Sequence, residues 1–257
     1  MADATFHPDP APAPLATMIL AQARLELGLT LRNGEQLVLT VVIPALLLVL
    51  FGGMHVGGLG GQLDFLVPGV MTVAVLSTAF TGQAIATGFD RRAGVLKRLS
   101  ASPLPRSGLI AGKTISVLVI EIMQLAVVGM IGRLMGWSPA PPDPTRWLLL
   151  ILLFALGTAA FSGLGLLMAG TLRAEATLPA ANLIFLLLLG GGGVIAPLTR
   201  YPSAVRVWIE ILPTAALADG WRELLAGGAA ISLGPSLILL LWAAGSVAAA
   251  AATFRWE

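Results

Sequence analysis

Six apolar segments, each long enough to cross a lipid bilayer as a helix, dominate this sequence. They lie at about residues 37–54, 65–87, 110–132, 147–170, 177–195 and 235–254. A helix needs roughly 20 apolar residues to cross a hydrocarbon layer about 30 Å thick. Only 11% of the 257 residues are charged, against about 25% in soluble domains, so there is too little polar surface for a water-facing fold. The sequence therefore predicts an all-α membrane protein with six transmembrane helices.

The residues before the first span predict an arm and a surface helix. Proline alternates at positions 8, 10, 12 and 14, which favours an extended chain. We expect residues 1–14 to be a disordered, proline-rich cytoplasmic arm, because they lack the basic start and apolar run of a signal peptide. In residues 15–33 a polar stripe at helical spacing predicts an amphipathic helix lying along the membrane surface; the stripe consists of Gln22, Glu26, Thr30 and Asn33.

The arginines and lysines predict the orientation of the chain. An even number of spans places both termini on one side, and cytoplasmic termini put ten of the 15 basic residues on the inside and five on the outside. Such an excess is typical of cytoplasmic loops. The short loop between the second and third spans and the start of the third span contain six of the ten: Arg91, Arg92, Lys97, Arg98, Arg106 and Lys113.

The loop between the fifth and sixth spans, at about residues 196–234, contains two short amphipathic stretches. Residues 202–212 place apolar side chains at i, i+3, i+4 and i+7, and residues 214–226 place them at i, i+4, i+7 and i+8, as one face of a helix does. Each is too short to span a bilayer, and Pro213 separates them. Trp208 and Trp221 suit the depth of the membrane interface. We expect two short re-entrant helices on the outer side.

The most distinctive loop follows the second span, where residues 89–106 read FDRRAGVLKRLSASPLPR. Val95, Leu96 and Leu99 share one face of a short helix, and Pro103 disfavours helix from residue 102 onward. An apolar face flanked by charges fits the groove of a partner protein. The alternative is a basic loop that only fixes the topology and touches lipid headgroups.

This loop, with Gly112-Lys113 a few residues later, resembles that of the ATP-binding cassette permeases of the second exporter type, of which the daunorubicin-resistance permeases are the best-known branch. The resemblance covers almost the whole chain, including Val67-Pro68-Gly69 at the start of the second span. It differs where most relatives have Glu-Arg or Glu-Lys in place of Asp90-Arg91. It implies a single transmembrane permease domain over residues 15–257, in the inner membrane of a bacterium, that exports an amphipathic drug, antibiotic or lipid.

The resemblance also implies partners and site residues. In this family the loop after the second span forms a coupling helix that inserts into a separate ATPase, present in two copies, and a second permease subunit completes the pathway as a homodimer or heterodimer. The coupling residues it implies are Asp90, Arg91, Arg92, Gly94, Leu96, Lys97, Arg98 and Leu99. The re-entrant helices are expected to form an outer gate at Trp208, Trp221 and Pro213. Membrane lipid is an expected partner, and nucleic acid is not.

We expect no ATP site, no catalytic residue and no cofactor in this chain, with ATP and magnesium bound by the partner ATPase. Gly112-Lys113-Thr114 is similar to the end of a phosphate-binding loop, but that motif requires a glycine at position 107, where this chain has Ser107. The sequence has no cysteine and only two histidines, which argues against a metal site.

Four polar residues in the predicted spans are candidates for the substrate pathway: Gln83, Glu121, Gln124 and Asn182. An ionised acid within a bilayer is unfavourable, so Glu121 should face protein or water. It either attracts a cationic substrate or makes a structural hydrogen bond, for example to Asn182 or Gln83. The alternative function is an ion-coupled carrier or channel that works without an ATPase. A membrane-embedded enzyme is disfavoured, because nucleophile and metal motifs are missing from the sequence.

Overall fold

A computed structural model of the protein describes residues 12–53, 63–141, 143–227 and 232–253. Throughout these ranges the regular elements are helices, as predicted. The α-helices are α1 (Leu15–Arg32), α2 (Gly34–Gly53), α3 (Leu63–Val75), α4 (Gln83–Arg92), α5 (Val95–Leu99), α6 (Arg106–Leu134), α7 (Pro144–Thr171), α8 (Ala174–Gly191), α9 (Ser203–Glu210), α10 (Pro213–Ala226) and α11 (Gly234–Thr253). The predicted arm, residues 1–14, lies outside the described residues as far as residue 11.

Helices occupy each of the six segments predicted to span the membrane. Four of them are long and apolar enough to cross a bilayer: Leu63–Arg92, Arg106–Leu134, Pro144–Thr171 and Gly234–Thr253. The helices α2 and α8 carry shorter apolar stretches, Thr40–Gly53 and Glu175–Gly191. The predicted fifth segment is too long at its end, because α8 stops at Gly191 and Gly193 has a left-handed φ of 68°, which an L side chain rarely adopts.

The most buried of the four long helices, Leu63–Arg92, contains a π-helical turn. This turn covers Leu76–Gly82 and joins α3 to α4 without a break in the helix. A π-helical turn widens the helix locally and often lies at a functional site. The Phe80 carbonyl packs so close to Gly165 of α7 that a Cβ on that glycine would lie 2.6 Å from it. No feature of the sequence had predicted this turn.

Small residues on α7 let its neighbours approach closely within the subunit. A Cβ on Gly163 would lie 2.8 Å from the backbone nitrogen of Val247 in α11, and one on Gly157 would lie 2.9 Å from Leu217 of α10. Small residues are typical of such contacts in membrane helices, where close van der Waals packing drives association. These glycines therefore pack helices of one chain together.

The surface helix α1 turns its polar side toward the protein. Gln22 is buried and Glu26 is half-buried, whereas Leu25 and Leu29 are 54% and 62% exposed. A helix on a soluble domain has the opposite arrangement, with its apolar side on the core. An outward apolar side fits a helix that lies in the membrane interface.

We expect Gly163→Ala to destabilise the protein, because the added methyl group meets the backbone of α11. Overpacking of this kind costs about 1–3 kcal/mol. The measurement is the thermal unfolding midpoint in detergent, followed by tryptophan fluorescence. Gly245→Ala is the matched control, since a Cβ there meets nothing within 4 Å and alanine favours helix. Equal midpoints for the two variants would contradict close packing at Gly163.

Candidate functional site

A buried lysine joins three helices at one end of the molecule. Lys113 Nζ lies 2.7 Å from Glu26 Oε1 and 2.9 Å from Asp90 Oδ2. The Lys113 side chain is only 3% exposed, and an ammonium withdrawn from water requires opposite charges and hydrogen bonds. Glu26 belongs to α1, Asp90 to α4 and Lys113 to α6, so the cluster fixes the surface helix to the ends of two long helices. We call these three residues the charge cluster.

Asp90 and its neighbour Arg91 thus both make contacts inside the chain. The Arg91 Nη1 atom donates to the carbonyl oxygens of Ala169 and Leu172, each at 2.6 Å. These carbonyls lie at the carboxyl end of α7, where a cation is favourable. The sequence pattern predicts that both residues contact the ATPase. In the structure Asp90 links α4 to α6, and Arg91 links α4 to the end of α7.

The short helix α5 has a buried side and an exposed basic side. Gly94 precedes it with a left-handed φ of 70°, and Leu96 is fully buried in a cluster with Leu104, Leu109, Ile110, Leu166 and Ala250. Leu99 packs partly against the same cluster. The side chains of Arg92, Lys97 and Arg98 are exposed. Of the predicted coupling residues, these three basic side chains therefore form the outward surface, and Leu96 anchors it.

A cavity of about 430 Å³ lies beside the charge cluster, between α1, α2, the Leu63–Arg92 helix, α6 and α8. Two of the four predicted pathway residues, Gln83 and Asn182, line it. Glu26 and Lys113 also reach its wall. Hydroxyl groups supply much of its remaining polarity, from Thr30, Thr40, Ser77, Thr78, Thr81 and Ser116. The π-helical turn thus contributes directly to the cavity wall.

The other two predicted pathway residues lie behind or beside this wall. Gln124 accepts from the Thr78 hydroxyl at 3.0 Å and donates to the Thr40 carbonyl at 2.8 Å. Glu121 is fully buried and accepts a hydrogen bond from the Thr158 hydroxyl of α7 at 2.5 Å. Glu121 is thus bonded to α7 and is not among the residues that line the cavity. Its partner is Thr158 rather than Asn182 or Gln83, the two examples that the sequence suggested.

At the opposite end, Arg222 of α10 binds two other segments of the chain, the start of α3 and the residues after α8. Its guanidinium donates to the carbonyls of Phe65, Gly193 and Val194 at 3.3, 3.0 and 2.8 Å, and to Asp219 Oδ1 at 2.8 Å. It also stacks 3.7 Å from the centroid of the Phe65 ring. Burial lowers the pKa of the Arg222 guanidinium, and the Asp219 carboxylate opposes that shift. Sequence reasoning missed this residue, because its partners are remote backbone carbonyls.

The three predicted gate residues have different environments. Trp208 of α9 is 69% exposed, whereas Trp221 and Pro213 of α10 are buried. Trp221 forms part of the wall of an apolar cavity of about 640 Å³ between α6, α7 and α10. The helix α10 is therefore packed into the body of the protein, and α9 presents its tryptophan outward. Within the described ranges, no group of three or more acidic or histidine side chains could hold a metal ion.

Comparison with known proteins agrees with this arrangement. A model of the ABC-2 type transporter family matches residues 17–225. A putative transport permease, YvfS, from Bacillus subtilis (strain 168) is 24% identical over 159 residues, 62% of this chain and 64% of the relative. The heme exporter protein B of Paracoccus denitrificans (strain Pd 1222) is 32% identical over 141 residues, 55% of this chain and 62% of the relative. The matches thus span less than two thirds of each relative.

The long apolar helices and the match to transport permeases define a multi-pass membrane protein of the permease class. The chain belongs to the ABC-2 type transporter family, since the family model covers well over half of it. The matched model describes the transmembrane component of a transporter, and in this family the ATPase is a separate subunit.

We expect Lys113→Met to destabilise the protein by about 3 kcal/mol, because it leaves two carboxylates facing each other without a cation. The thermal unfolding midpoint in lipid nanodiscs measures the effect. Adding Glu26→Gln and Asp90→Asn removes both uncompensated charges, so the triple variant should recover most of the loss. A triple variant as unstable as Lys113→Met would show that the uncompensated carboxylates are not the cause of the loss.

Arg222→Lys should lower the unfolding midpoint, because a single ammonium cannot reproduce the planar set of donors that Arg222 directs to three carbonyls. Hydrogen bonds to a charged group contribute about 1.5–3 kcal/mol each, so the expected loss is about 2 kcal/mol or more. Arg206→Lys is the control, since Arg206 pairs with Glu210 on an exposed surface and such pairs contribute little. Equal effects at both sites would contradict a clamping role for Arg222.

Proposed function

We propose that this chain is the permease subunit of an ATP-driven exporter with six membrane spans and both termini in the cytoplasm. In this proposal two permease subunits, identical or different, form the pathway, and two copies of a separate ATPase drive it. The family match to residues 17–225 and the relatives named as a transport permease and an exporter support this assignment. The excess of basic residues near the charge cluster supports a cytoplasmic position for that end.

The observation that carries the proposal is an exposed basic surface on a firmly anchored helix. Arg92, Lys97 and Arg98 face outward, and we call them the docking surface. Leu96 packs α5 against side chains of α6, α7 and α11. A force applied to α5 is therefore transmitted to these long helices. Arg91 links the preceding residues to the end of α7. A complementary acidic groove on an ATPase would suit this charge.

The proposed direction of transport rests on the name of one relative, and the proposed cargo rests on the lining of the cavity. Export is proposed because one relative carries the name heme exporter, and an amphipathic cargo suits a cavity that combines hydroxyl groups with apolar side chains. In this proposal α9 and α10 form the outer gate. Arg222 would then mark the part of α10 that stays fixed to Phe65 while Trp208 on α9 contacts the interface.

Charge reversal on the docking surface should uncouple the transporter. We expect Lys97→Glu/Arg98→Glu to reduce copurification of the coexpressed partner ATPase, and to lower ATP turnover of the complex in lipid at least about tenfold. The reason is repulsion across an interface that the wild-type charges make attractive. Arg91 is left unchanged in this design. Because it is hydrogen-bonded to the end of α7, a change there would lower stability as well as docking, and the two effects could not be separated.

Arg133→Glu/Arg200→Glu is the control for this experiment, since both side chains are exposed and neither lies on the gate helices α9 and α10. It changes the net charge by the same amount at residues that the proposal places on the opposite side of the membrane. We expect normal copurification and turnover for the control. If the docking variant also behaves like the wild type, or if the purified chain transports without any ATPase, the ion-coupled carrier or channel replaces the exporter as the better assignment.

A further inference from the structure

The cavity beside the charge cluster is polar at one end and apolar at the other. On α6 its lining begins with Lys113 and Ser116 and ends with Ile120. Along α8 it begins with Asn182 and ends with Leu189. In both helices the polar residue is nearer to the end that carries the charge cluster, because Lys113 itself lies there and α8 begins beside the α7 terminus that Arg91 binds.

The same gradient occurs on the other two long walls. The lining of α2 runs from Thr40 to Leu47. That of the Leu63–Arg92 helix begins at Ala86 and Gln83, continues through the hydroxyl groups of the π-helical turn and ends at Val73. Four walls that change from polar to apolar in the same direction form a site for a molecule with a head and a tail. The volume of about 430 Å³ falls within the usual range for small-molecule sites.

Two side chains that line the cavity have polar atoms without a hydrogen-bond partner within the described structure: the Thr81 hydroxyl and the Gln83 amide, of which the amide offers more donors. Gln83 is 5% exposed, lines the cavity, and neither its amide oxygen nor its amide nitrogen makes a hydrogen bond within the described structure. A buried amide without partners is unfavourable. Its geometry offers one acceptor and two donors side by side, so the group that complements it must also carry both a donor and an acceptor.

The charged side chains in the wall do not offer a second head-group site. Glu26 and Lys113 neutralise each other at 2.7 Å, and Asp90 also binds Lys113. The surplus carboxylate of the cluster repels an anionic head. A quaternary ammonium has no donor or acceptor for Gln83, and a primary ammonium has donors but no acceptor for the Gln83 amide nitrogen. A neutral head that both donates and accepts meets all of these conditions.

We propose that this cavity binds a small amphipathic molecule by its uncharged donor–acceptor head, such as a carboxamide, with Gln83 holding the head and the apolar end holding the tail. This inference rests on the proposed export function, for which it names the class of substrate and a specificity-determining residue. The site lies within one chain, so it does not require the second permease subunit.

The test uses the full chain in lipid nanodiscs with dodecanamide that carries a photoreactive diazirine on its tail. Crosslinked peptides are mapped by mass spectrometry, and labelling is competed with dodecanamide, dodecanoate and dodecyltrimethylammonium, which share one tail length. We expect label on peptides of α3, α6 or α8, and competition by dodecanamide well ahead of the other two. This order is measured on the wild-type protein and needs no variant.

Gln83→Leu should reduce this labelling about fivefold to tenfold, the loss expected for one or two neutral hydrogen bonds. Thr87→Val is the matched control: Thr87 lies one turn further along α4, is equally buried and also lacks a partner, but does not line the cavity. It should label normally.

Equal competition by the three amphiphiles, or labelling that survives Gln83→Leu, would overturn this inference. The same holds if Thr87→Val lowers labelling as much as Gln83→Leu does. No ATPase is needed for any of these measurements. If ATP turnover responds to the docking surface as expected while labelling ignores Gln83, the cavity inference fails and the exporter assignment stands.

Discussion

The salt bridges of Lys113 are the contacts on which the rest of the functional end depends. An ammonium that is almost fully buried in a protein of this composition must keep its carboxylates, since neither lipid nor bulk water replaces them there. Glu26 therefore holds the surface helix against α6, and Asp90 holds the end of α4. The position of the cavity wall and of α5 follows from these two contacts. The same arrangement explains why the polar stripe of α1 faces inward.

The helices of this fold were predictable and its polar contacts mostly were not. Apolar windows located the four long apolar helices and the two with shorter apolar stretches, α2 and α8, because crossing a bilayer requires a run of about 20 apolar residues. Lys113 pairs with Glu26 and Asp90, which are far from it in the sequence. The periodicity of the sequence reports only local spacing and therefore does not predict these ion pairs. In the sequence Lys113 was recognisable as a basic residue near the cytoplasmic loop, as part of the Gly112-Lys113 pair and as part of an incomplete phosphate-binding motif, and none of these patterns indicates its partners. Likewise, Arg222 binds backbone carbonyls. Because every residue has one, the sequence does not identify which carbonyls Arg222 binds.

In the loop after the second span, one sequence motif contains both residues that pack inside the chain and residues that face outward. From its pattern, residues 90–99 form one docking unit. In the structure Arg91 and Leu96 bind the remainder of the chain, while Lys97 and Arg98 remain exposed. A helix of five residues has little stability alone, so inward contacts must hold it in place. The sequence alone does not distinguish the inward residues from the outward ones, because basic and apolar side chains occur in both groups.

The π-helical turn lets the helix Leu63–Arg92 hold one residue more than a regular α-helix of the same course. Its hydrogen bonds run from i to i+5, one residue further than those of an α-helical turn. Removing one residue from Leu76–Gly82 would therefore let the turn relax into ordinary α-helix and leave Gln83 and Asp90 on nearly the same faces. Removing one residue between Gln83 and Asp90 would instead rotate Asp90 by about 100° away from Lys113. Alignments of this region should therefore place single-residue gaps inside the π-helical turn.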